Sequence, residues 1–256
     1  MEKKATKIIT VANHKGGVGK TTTTASVGSI LASKGYKVLL IDLDPQANLT
    51  VSLLKQEPDN SIYYALTGKE ESLPIVCLTE NLSIVPSSLQ LATAEMELTA
   101  AISRERILDR LLSPIKDGYD FILIDCPPSL GLLNLNAFTA STEIIIPLVA
   151  EVLPFKGLTM INRFTQQVKS SLNPDVYILG ILLTRWEPTN LSKQIEEGLR
   201  DELDDKVFET KIRKNVTIAE APLESKNILE YAPKSNGAND YLAFTNEMLT
   251  KLHFIK

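Results

Sequence analysis

The fold is decided by the stretch His14-Lys15-Gly16-Gly17-Val18-Gly19-Lys20-Thr21-Thr22. It follows the apolar run Ile8-Ile9-Thr10-Val11-Ala12, which has strand character, and it precedes a helical pattern that contains Ala25, Val27, Ile30 and Leu31. A glycine-rich loop between a strand and a helix binds phosphate through backbone N–H groups and the helix N-terminus. In that context Lys20 reaches the terminal phosphates and the Thr21 hydroxyl binds magnesium.

The loop departs from the common phosphate-binding pattern at its first position. That pattern has a glycine five residues before Gly19, where this chain has His14, and a second lysine, Lys15, then opens the glycine run. A loop lysine alone is usually a solvated side chain, but a cation beside a triphosphate is expected to contact it. The predicted nucleotide-binding residues are therefore Lys15, Gly16, Gly17, Val18, Gly19, Lys20, Thr21 and Thr22.

Apolar runs alternate with helical patterns along the rest of the chain. Strands are predicted near 8–12, 37–42, 82–86, 121–125, 143–149 and 176–184. Helices are predicted after Lys20, at 88–112 with a break near Ser103, and at 155–172, 190–203 and 237–252, with short helical pieces at 49–54 and 62–66. Continuous apolar runs indicate strands covered on both faces. We therefore expect an α/β fold, a doubly wound and mostly parallel sheet flanked by helices. We expect one domain over 1–256, with a short irregular surface insertion at about 55–80.

Composition narrows the class of protein. The chain has 256 residues, 44% of them hydrophobic, and contains no apolar run of the length a membrane span needs, about 18 residues. Met1-Glu2-Lys3-Lys4 leads into strand sequence without a signal segment, so we expect a cytoplasmic protein. A net charge of −4 argues against a globally basic nucleic-acid binder, though not against a local basic patch. Cys77 and Cys126 are expected to be buried and unpaired.

Three carboxylates follow predicted strands. Asp42 and Asp44 end one apolar run and Asp125 ends another, and the carboxyl ends of parallel strands meet at one edge of a sheet. Asp125 fits the acid that holds magnesium indirectly, through one of the ion's own ligands. Asp42 or Asp44 is then the candidate that orients the attacking nucleophile. We expect these two to face opposite sides at the strand end, so that only one of them faces the phosphates.

The chain resembles the ParA partition ATPases, including the chromosomal Soj type, from Ile8 to about Leu249. The motifs that carry the resemblance are Lys15-Gly16-Gly17-Val18-Gly19-Lys20-Thr21-Thr22, Asp42-Leu43-Asp44-Pro45-Gln46, Asp125-Cys126-Pro127-Pro128-Ser129 and Glu220-Ala221-Pro222. The resemblance implies ATP and magnesium as cofactors and an ATP-bound homodimer in which Lys15 reaches the partner's phosphates. It also implies that Asp44 positions the attacking water, with a possible water-mediated contact to magnesium.

The resemblance further implies a switch that works on DNA. The dimer binds DNA without sequence preference and associates with the nucleoid, and a centromere-binding ParB-type partner stimulates its slow hydrolysis. Glu151 resembles a glutamate near the ribose across the dimer. Arg213 lies in the segment near the adenine, where the family usually has proline followed by arginine and this chain has Arg213-Lys214-Asn215.

A local basic patch would reconcile DNA binding with the acidic total. The candidate DNA-binding residues are Arg185, Lys193, Lys211, Arg213 and Lys214. A cluster this small is about as often a solvated surface. Phosphate contacts need no sequence code, however, and a dimer doubles the patch.

Three other functions share this phosphate loop. A MinD-type membrane ATPase ends in a basic amphipathic helix, whereas the end of this chain, Lys251 to Lys256, is short. An iron-sulfur ATPase needs two suitably placed cysteines in each subunit, and Cys77 and Cys126 lie in unrelated segments. An ATP-dependent ligase needs an acceptor pocket, for which the sequence contains no marker.

Overall fold

The computed structural model describes residues 5–56, 58–150 and 154–254. The strands of this part of the chain form one sheet: β1 (Lys7–Val11), β2 (Val38–Asp42), β3 (Val76–Thr79), β4 (Leu82–Val85), β5 (Phe121–Asp125), β6 (Glu143–Val149) and β7 (Tyr177–Thr184). Their order is β3-β4-β2-β5-β1-β6-β7, and all neighbours are parallel except β3 and β4. The predicted doubly wound, mostly parallel sheet is confirmed.

Helices flank the sheet on both faces. They are α1 (Lys20–Ser33), α2 (Asn48–Leu53), α3 (Ile62–Leu66), α4 (Leu91–Glu97), α5 (Ile107–Leu112), α6 (Leu132–Ala140), α7 (Pro154–Ser171), α8 (Asn190–Leu203), α9 (Val216–Glu220), α10 (Ile228–Tyr231) and α11 (Asn236–Lys251). Successive strand residues alternate between two cores: Leu39 packs with residues of α3 to α8, and Leu40 packs with residues of α1 and α11. Both faces of the strands are thus covered, which explains the continuous apolar runs.

The strand order brings the candidate acids to one edge. β1 lies between β5 and β6, and the chain crosses over in opposite directions from this point. The register pairs Val11 with Asp125 on one side of β5 and Asp42 with Asp125 on the other. The glycine loop therefore leaves β1 beside two carboxylates, at the switch point where open α/β sheets bind ligands.

The segment at 55–80 differs from the irregular surface insertion that we expected. Ile62 and Leu66 of α3 are fully buried or nearly so, and Val76–Thr79 is the antiparallel edge strand β3. Cys77 is exposed rather than buried, because alternate residues of this edge strand point outward, whereas Cys126 is buried as expected. The short helix predicted at 62–66 is confirmed as α3, but the turn-forming Pro58, Gly68 and Pro74 around it left its burial and the strand β3 unpredicted.

The helical regions follow the sequence pattern, but α6 and the short helices α9 and α10 were not predicted. The predicted break in 88–112 occurs at Ser103, which has a left-handed φ of 51°. Helix α6 was not predicted, because Asn134 and Asn136 are buried and interrupt its apolar pattern. Within the described residues, no helix combines the length and apolarity that crossing a bilayer requires.

Candidate functional site

The loop between β1 and α1 curls through two left-handed glycines. Gly17 has a φ of 72° and Gly19 has a φ of 87°. An L-residue would adopt this conformation at a cost of about 1–2 kcal/mol. Gly19 is the N-cap of α1, and its carbonyl accepts the first helical bond, from Thr23 N at 2.9 Å. The helix N-terminus thus opens directly onto the curled loop, an arrangement that favours an anion.

Two buried side chains hold this loop to neighbouring strands. Asn13 donates from Nδ2 to Pro147 O at 2.7 Å and accepts from Lys15 N at 3.1 Å. Thr184, at the end of β7, donates from its hydroxyl to Val18 O at 2.8 Å. Sequence reasoning missed both residues, and the only signal available was a polar residue that closes an apolar strand.

The two lysines of the loop face different spaces. Lys20 is buried, and its Nζ donates to Lys15 O at 3.0 Å. Burial lowers the pKa of Lys20, and the negative charges of Asp125 and Asp44 oppose that shift. Lys15 lines a small cleft of about 50 Å³ and does not line the main cavity. Within the described part of the chain, neither lysine has an ion-pair partner.

Asp125 is a buried carboxylate in an environment that suits a cation. Neither carboxylate oxygen has a hydrogen-bond partner of good geometry among the described residues. Burial raises the pKa of Asp125 well above its usual range, and the nearby charge of Asp42 adds to the effect, while the Thr21 hydroxyl and Lys20 oppose it. A hydrated magnesium ion at Thr21 would supply the missing positive charge and donors, so these residues fit the ion.

Asp42 and Asp44 have different environments. The Asp42 carboxylate accepts bonds from Thr50 N at 2.8 Å, from the Thr50 hydroxyl at 2.7 Å and from Asp44 N at 3.1 Å. Burial raises the pKa of Asp42 to about 6, although these hydrogen bonds oppose the shift. Asp44 instead lines the main cavity, and its Oδ1 accepts from Gln46 N at 2.9 Å.

Only Asp44 of this pair faces the cavity, as expected, but the reason that we gave was wrong. Residues two apart in a regular strand share one face of the sheet. Here β2 ends at Asp42, and Leu43 and Asp44 lie beyond the strand. Asp44 therefore does not follow the strand alternation, and the end of the strand separates the two carboxylates.

The main cavity has a volume of about 890 Å³, within the range of nucleotide-sized sites. One wall contains the loop residues Gly16, Gly17, Gly19, Lys20, Thr21 and Thr22 together with Asp44, Thr184 and Arg185. Most residues between 212 and 228 also line the cavity, including Arg213, Asn215 and Pro222. The segment that the family resemblance assigns to the adenine therefore borders the same cavity as the phosphate loop.

Arg213 is held at this wall by an acid of α11. Its Nη2 lies 2.6 Å from Asp240 Oδ1 and its Nε lies 3.0 Å from Asp240 Oδ2. These hydrogen bonds raise the pKa of Arg213. The position of Glu151, the predicted ribose contact, lies outside the described residues.

The other candidate DNA-binding residues differ in whether they form an ion pair. Lys211 Nζ lies 2.6 Å from Glu196 Oε1 and 4.8 Å from the ring centre of Trp186, and Lys214 Nζ lies 3.4 Å from Glu187. Arg185 and Lys193 are exposed and have no ion pair with the described residues. Three of the five cations are thus already compensated within the chain.

Comparison with known proteins identifies the family. A family model described as an AAA domain, AAA_31, matches residues 6–178. The chain is 43% identical over 247 residues to the sporulation initiation inhibitor protein Soj of Bacillus subtilis, covering 94% of this chain and 98% of that protein. The chain belongs to the ParA/Soj family. A second ParA/Soj relative, the chromosome partitioning protein ParA of Myxococcus xanthus, is 40% identical over 250 residues, which cover 96% of this chain and 88% of the relative.

A solved structure shares the fold over almost the whole chain. It is the cobyrinic acid a,c-diamide synthase of Mycobacterium smegmatis with a bound ATP analogue and magnesium, with a TM-score of 0.84, 35% identity and coverage of 97% of this chain and 96% of that chain. The ParA/Soj chain is thus a P-loop ATPase, with ATP and magnesium as its cofactors.

Proposed function

We propose that the chain is an ATP-driven DNA-partition switch. In this proposal the loop and Lys20 bind the phosphates of the chain's own ATP, and Asp44 orients the attacking water. Thr21 and Asp125 hold magnesium, which neutralises phosphate charge when it is bound. The observation that carries the proposal is the separation of the two lysines: Lys20 lies at the main cavity, whereas Lys15 lines the small cleft on another side of the loop.

That separation supports a shared site in a homodimer. A lysine beside a phosphate loop that does not line its own cavity is available to a nucleotide held elsewhere. In the family resemblance, Lys15 reaches the phosphates of the partner subunit, so ATP would hold two subunits together. Dimerisation would then depend on ATP, and hydrolysis would reverse it.

We further propose that the ATP-bound dimer binds DNA without sequence preference in the cytoplasm, on the nucleoid. Exposed Lys193 and the neighbouring cations support this step, because backbone phosphate contacts require positive charge rather than base readout. A ParB-type centromere-binding protein would stimulate hydrolysis and release the DNA. The similarity to the chromosome partitioning protein ParA of Myxococcus xanthus supports this assignment to partitioning.

The experiment compares the wild type with Asp44→Ala and Lys15→Gln. ATPase activity, ATP-dependent dimerisation by light scattering and binding to a nonspecific DNA duplex are measured for each. Asp44→Ala is expected to dimerise with ATP, retain DNA and hydrolyse poorly. Lys15→Gln is expected to bind ATP as a monomer.

Lys34→Ala provides a matched lysine control, because Lys34 is exposed at the opposite end of α1 from the loop. It should behave as the wild type in all three assays. Normal hydrolysis by Asp44→Ala, or DNA binding that does not respond to ATP, would show that the proposed mechanism is wrong.

A membrane-positioning role receives no support from the chain's end. Leu252 and Phe254 are 6% and 4% exposed and pack into the core with Tyr36. The apolar residues that a membrane-binding amphipathic segment would present are therefore buried in this part of the described chain.

A second candidate, ATP-dependent amide formation, is favoured by one observation. The similar solved structure is a diamide synthase at 35% identity. Under this alternative, ATP consumption would require a carboxylic acid acceptor such as cobyrinic acid and an amide-nitrogen donor, and DNA would have no effect. Measuring ATP turnover with each addition separates the two functions.

A further inference from the structure

Arg185 differs from the other basic residues in the spaces that it borders. It borders the main cavity together with Gly16, Gly17 and Lys20, and it also borders the small cleft that contains Lys15. Among the five candidate DNA-binding residues, only Arg185 contacts both spaces. It therefore lies between the nucleotide cavity and the lysine that we assign to the dimer.

The backbone holds Arg185 at this place from both sides. The preceding residue, Thr184, is bonded to Val18 O of the phosphate loop. The following residue, Trp186, donates from its backbone N to Ile212 O at 2.9 Å. An arginine between two such anchored residues has little freedom to move away from the loop.

Arg185 also has a strained backbone. Its φ of 49° lies in the left-handed region, which glycine adopts without penalty and which arginine adopts at a cost. Strained non-glycine residues persist where the surrounding structure enforces them, and they concentrate at ligand sites. Retention of an arginine here is consistent with a use for its side chain.

The charge of Arg185 is available for a ligand. Its side chain is exposed, and no carboxylate of the described residues pairs with it, in contrast to Lys211, Arg213 and Lys214. Guanidinium groups bind phosphate through two parallel hydrogen bonds. An unpaired guanidinium beside a phosphate loop thus has the chemistry to bind a nucleotide phosphate.

We propose that Arg185 is a phosphate-contacting residue of the nucleotide site rather than a DNA-binding residue. The ligand group is a phosphate of ATP, supplied either by the chain's own nucleotide or by the nucleotide of a second copy. The inference rests on the proposed ATP-dependent function, and it adds a cation that the phosphate-loop motif does not contain.

The experiment measures ATP and ADP affinity by fluorescence of a labelled nucleotide, without DNA, for the wild type, Arg185→Ala, Arg185→Gly and Arg185→Lys. Loss of one charged phosphate contact is expected to weaken binding by about tenfold in the Ala and Gly variants, and less in the Lys variant. The Gly variant removes the backbone strain, so it reports on the side chain even where the Ala variant folds poorly.

Arg110→Ala is the matched control, because Arg110 is exposed on α5 and borders neither space. It should bind nucleotide as the wild type does. Repeating the Arg185→Ala measurement in the Lys15→Gln background distinguishes the two sources of phosphate. Weaker binding in that monomeric background identifies the chain's own nucleotide. Unchanged binding there, together with loss of ATP-dependent dimerisation by Arg185→Ala when Lys15 is present, identifies the partner's nucleotide.

The outcome that overturns the inference is a set of Arg185 variants with unchanged nucleotide binding and dimerisation but weaker DNA binding. Failure of the proposed function gives a different result, because the wild type itself would then show no ATP-dependent dimerisation or DNA binding.

Discussion

The phosphate loop and the basic surface formed by Lys193, Lys211, Arg213 and Lys214 differ in whether their cations have acid partners. In the loop, Lys20 is buried and donates to a carbonyl oxygen rather than to an acid. On the basic surface, three cations pair with Glu196, Asp240 and Glu187. The loop keeps its charge available for a ligand, whereas the surface has already compensated most of its charge.

The difference has an energetic consequence. A buried cation without an acid partner gains strongly when a phosphate arrives, because little water screens the interaction. An exposed ion pair such as Lys214–Glu187 contributes only about 0–1 kcal/mol, so a DNA phosphate can replace its carboxylate at small cost or gain. Glu196 and Asp240 are largely buried, so removing their cations leaves a buried charge without its partner. Nucleotide binding should therefore be strong and sensitive to single residues, and DNA binding should be weak for each residue and sensitive to salt.

The largest expected effect tests the loop itself. Replacing Lys20 with alanine removes the buried cation from the phosphates, and we expect ATP hydrolysis to fall at least about a hundredfold, equivalent to about 3 kcal/mol. Phosphate release in the presence of magnesium measures the change. Lys34→Ala, at the opposite end of the same helix, should retain wild-type activity. Activity of Lys20→Ala within a few-fold of the wild type would show that hydrolysis does not depend on the buried cation of the loop.

The next largest effect is on stability, which should depend on pH because the carboxyl group of Asp42 is buried at the site. Burial raises the pKa of Asp42 to about 6 in the folded chain, from the ordinary aspartate value of 3.8. The folded state therefore binds more protons than the unfolded state between about pH 4 and pH 6. This carboxyl group is therefore most favourable to stability below about pH 4, and its contribution declines as the pH rises through 6, by up to about 3 kcal/mol in total.

Asp42→Asn isolates this titration, because the amide has no charge to bury. Urea unfolding from pH 4.5 to 7.5 should show the free energy of unfolding of the wild type falling relative to that of the variant as the pH rises. The charge of Asp42 also raises the pKa of Asp125, so the difference between the two profiles includes a contribution from Asp125, which acts in the same direction. Parallel pH profiles would mean that Asp42 does not titrate in this window.

The sequence was sufficient to predict those features whose signal lies in neighbouring residues. The glycine loop, the strand-end acids and the parallel sheet follow from adjacent residues and from the rule that strand ends meet at one edge, and the structure brings Lys20, Asp44 and Asp125 to that edge. Their catalytic roles stay predictions. The family followed from the same motifs, and the similarity to Soj confirms it.

The sequence was insufficient to predict contacts between residues that are far apart in the chain. Thr184 bonds to Val18, which is 166 residues away, and Asn13 bonds to Pro147, which is 134 residues away. Neither bond leaves a pattern in the nearby residues. For the same reason, the pairing of Arg213 with Asp240 was not foreseen, and Arg213 appeared in the sequence as a cation available to DNA or adenine.

A smaller effect tests the anchoring of the loop by β7. Thr184→Val keeps the shape of the side chain but leaves Val18 O without its donor, which should lower the free energy of unfolding by about 1–2 kcal/mol and weaken ATP binding. Thr139→Val is the matched control, because its buried hydroxyl donates to Leu135 O inside α6 and Thr139 does not line the cavity. Equal loss of ATP affinity in both variants would argue against a positioning role for Thr184.

The smallest expected effect tests whether ion pairs within the chain limit DNA binding by the basic surface. Glu196 lies 2.6 Å from Lys211 and 3.3 Å from Arg200, so Glu196→Gln should release cations that the structure holds in ion pairs. We expect nonspecific DNA affinity to rise by about two- to fivefold at low salt, with a steeper decline as salt increases. Fluorescence anisotropy of a labelled duplex over a salt series, with ATP present, measures both quantities.

Glu197→Gln on the same helix supplies the control that decides between two explanations. It removes the same unit of negative charge at a neighbouring exposed position, and no ion pair of the described residues depends on it. If intrachain pairing limits DNA binding, only the Glu196 variant gains affinity substantially. If both variants gain equally, the net charge of the surface governs binding, and the compensation that distinguishes this surface from the phosphate loop has no functional consequence.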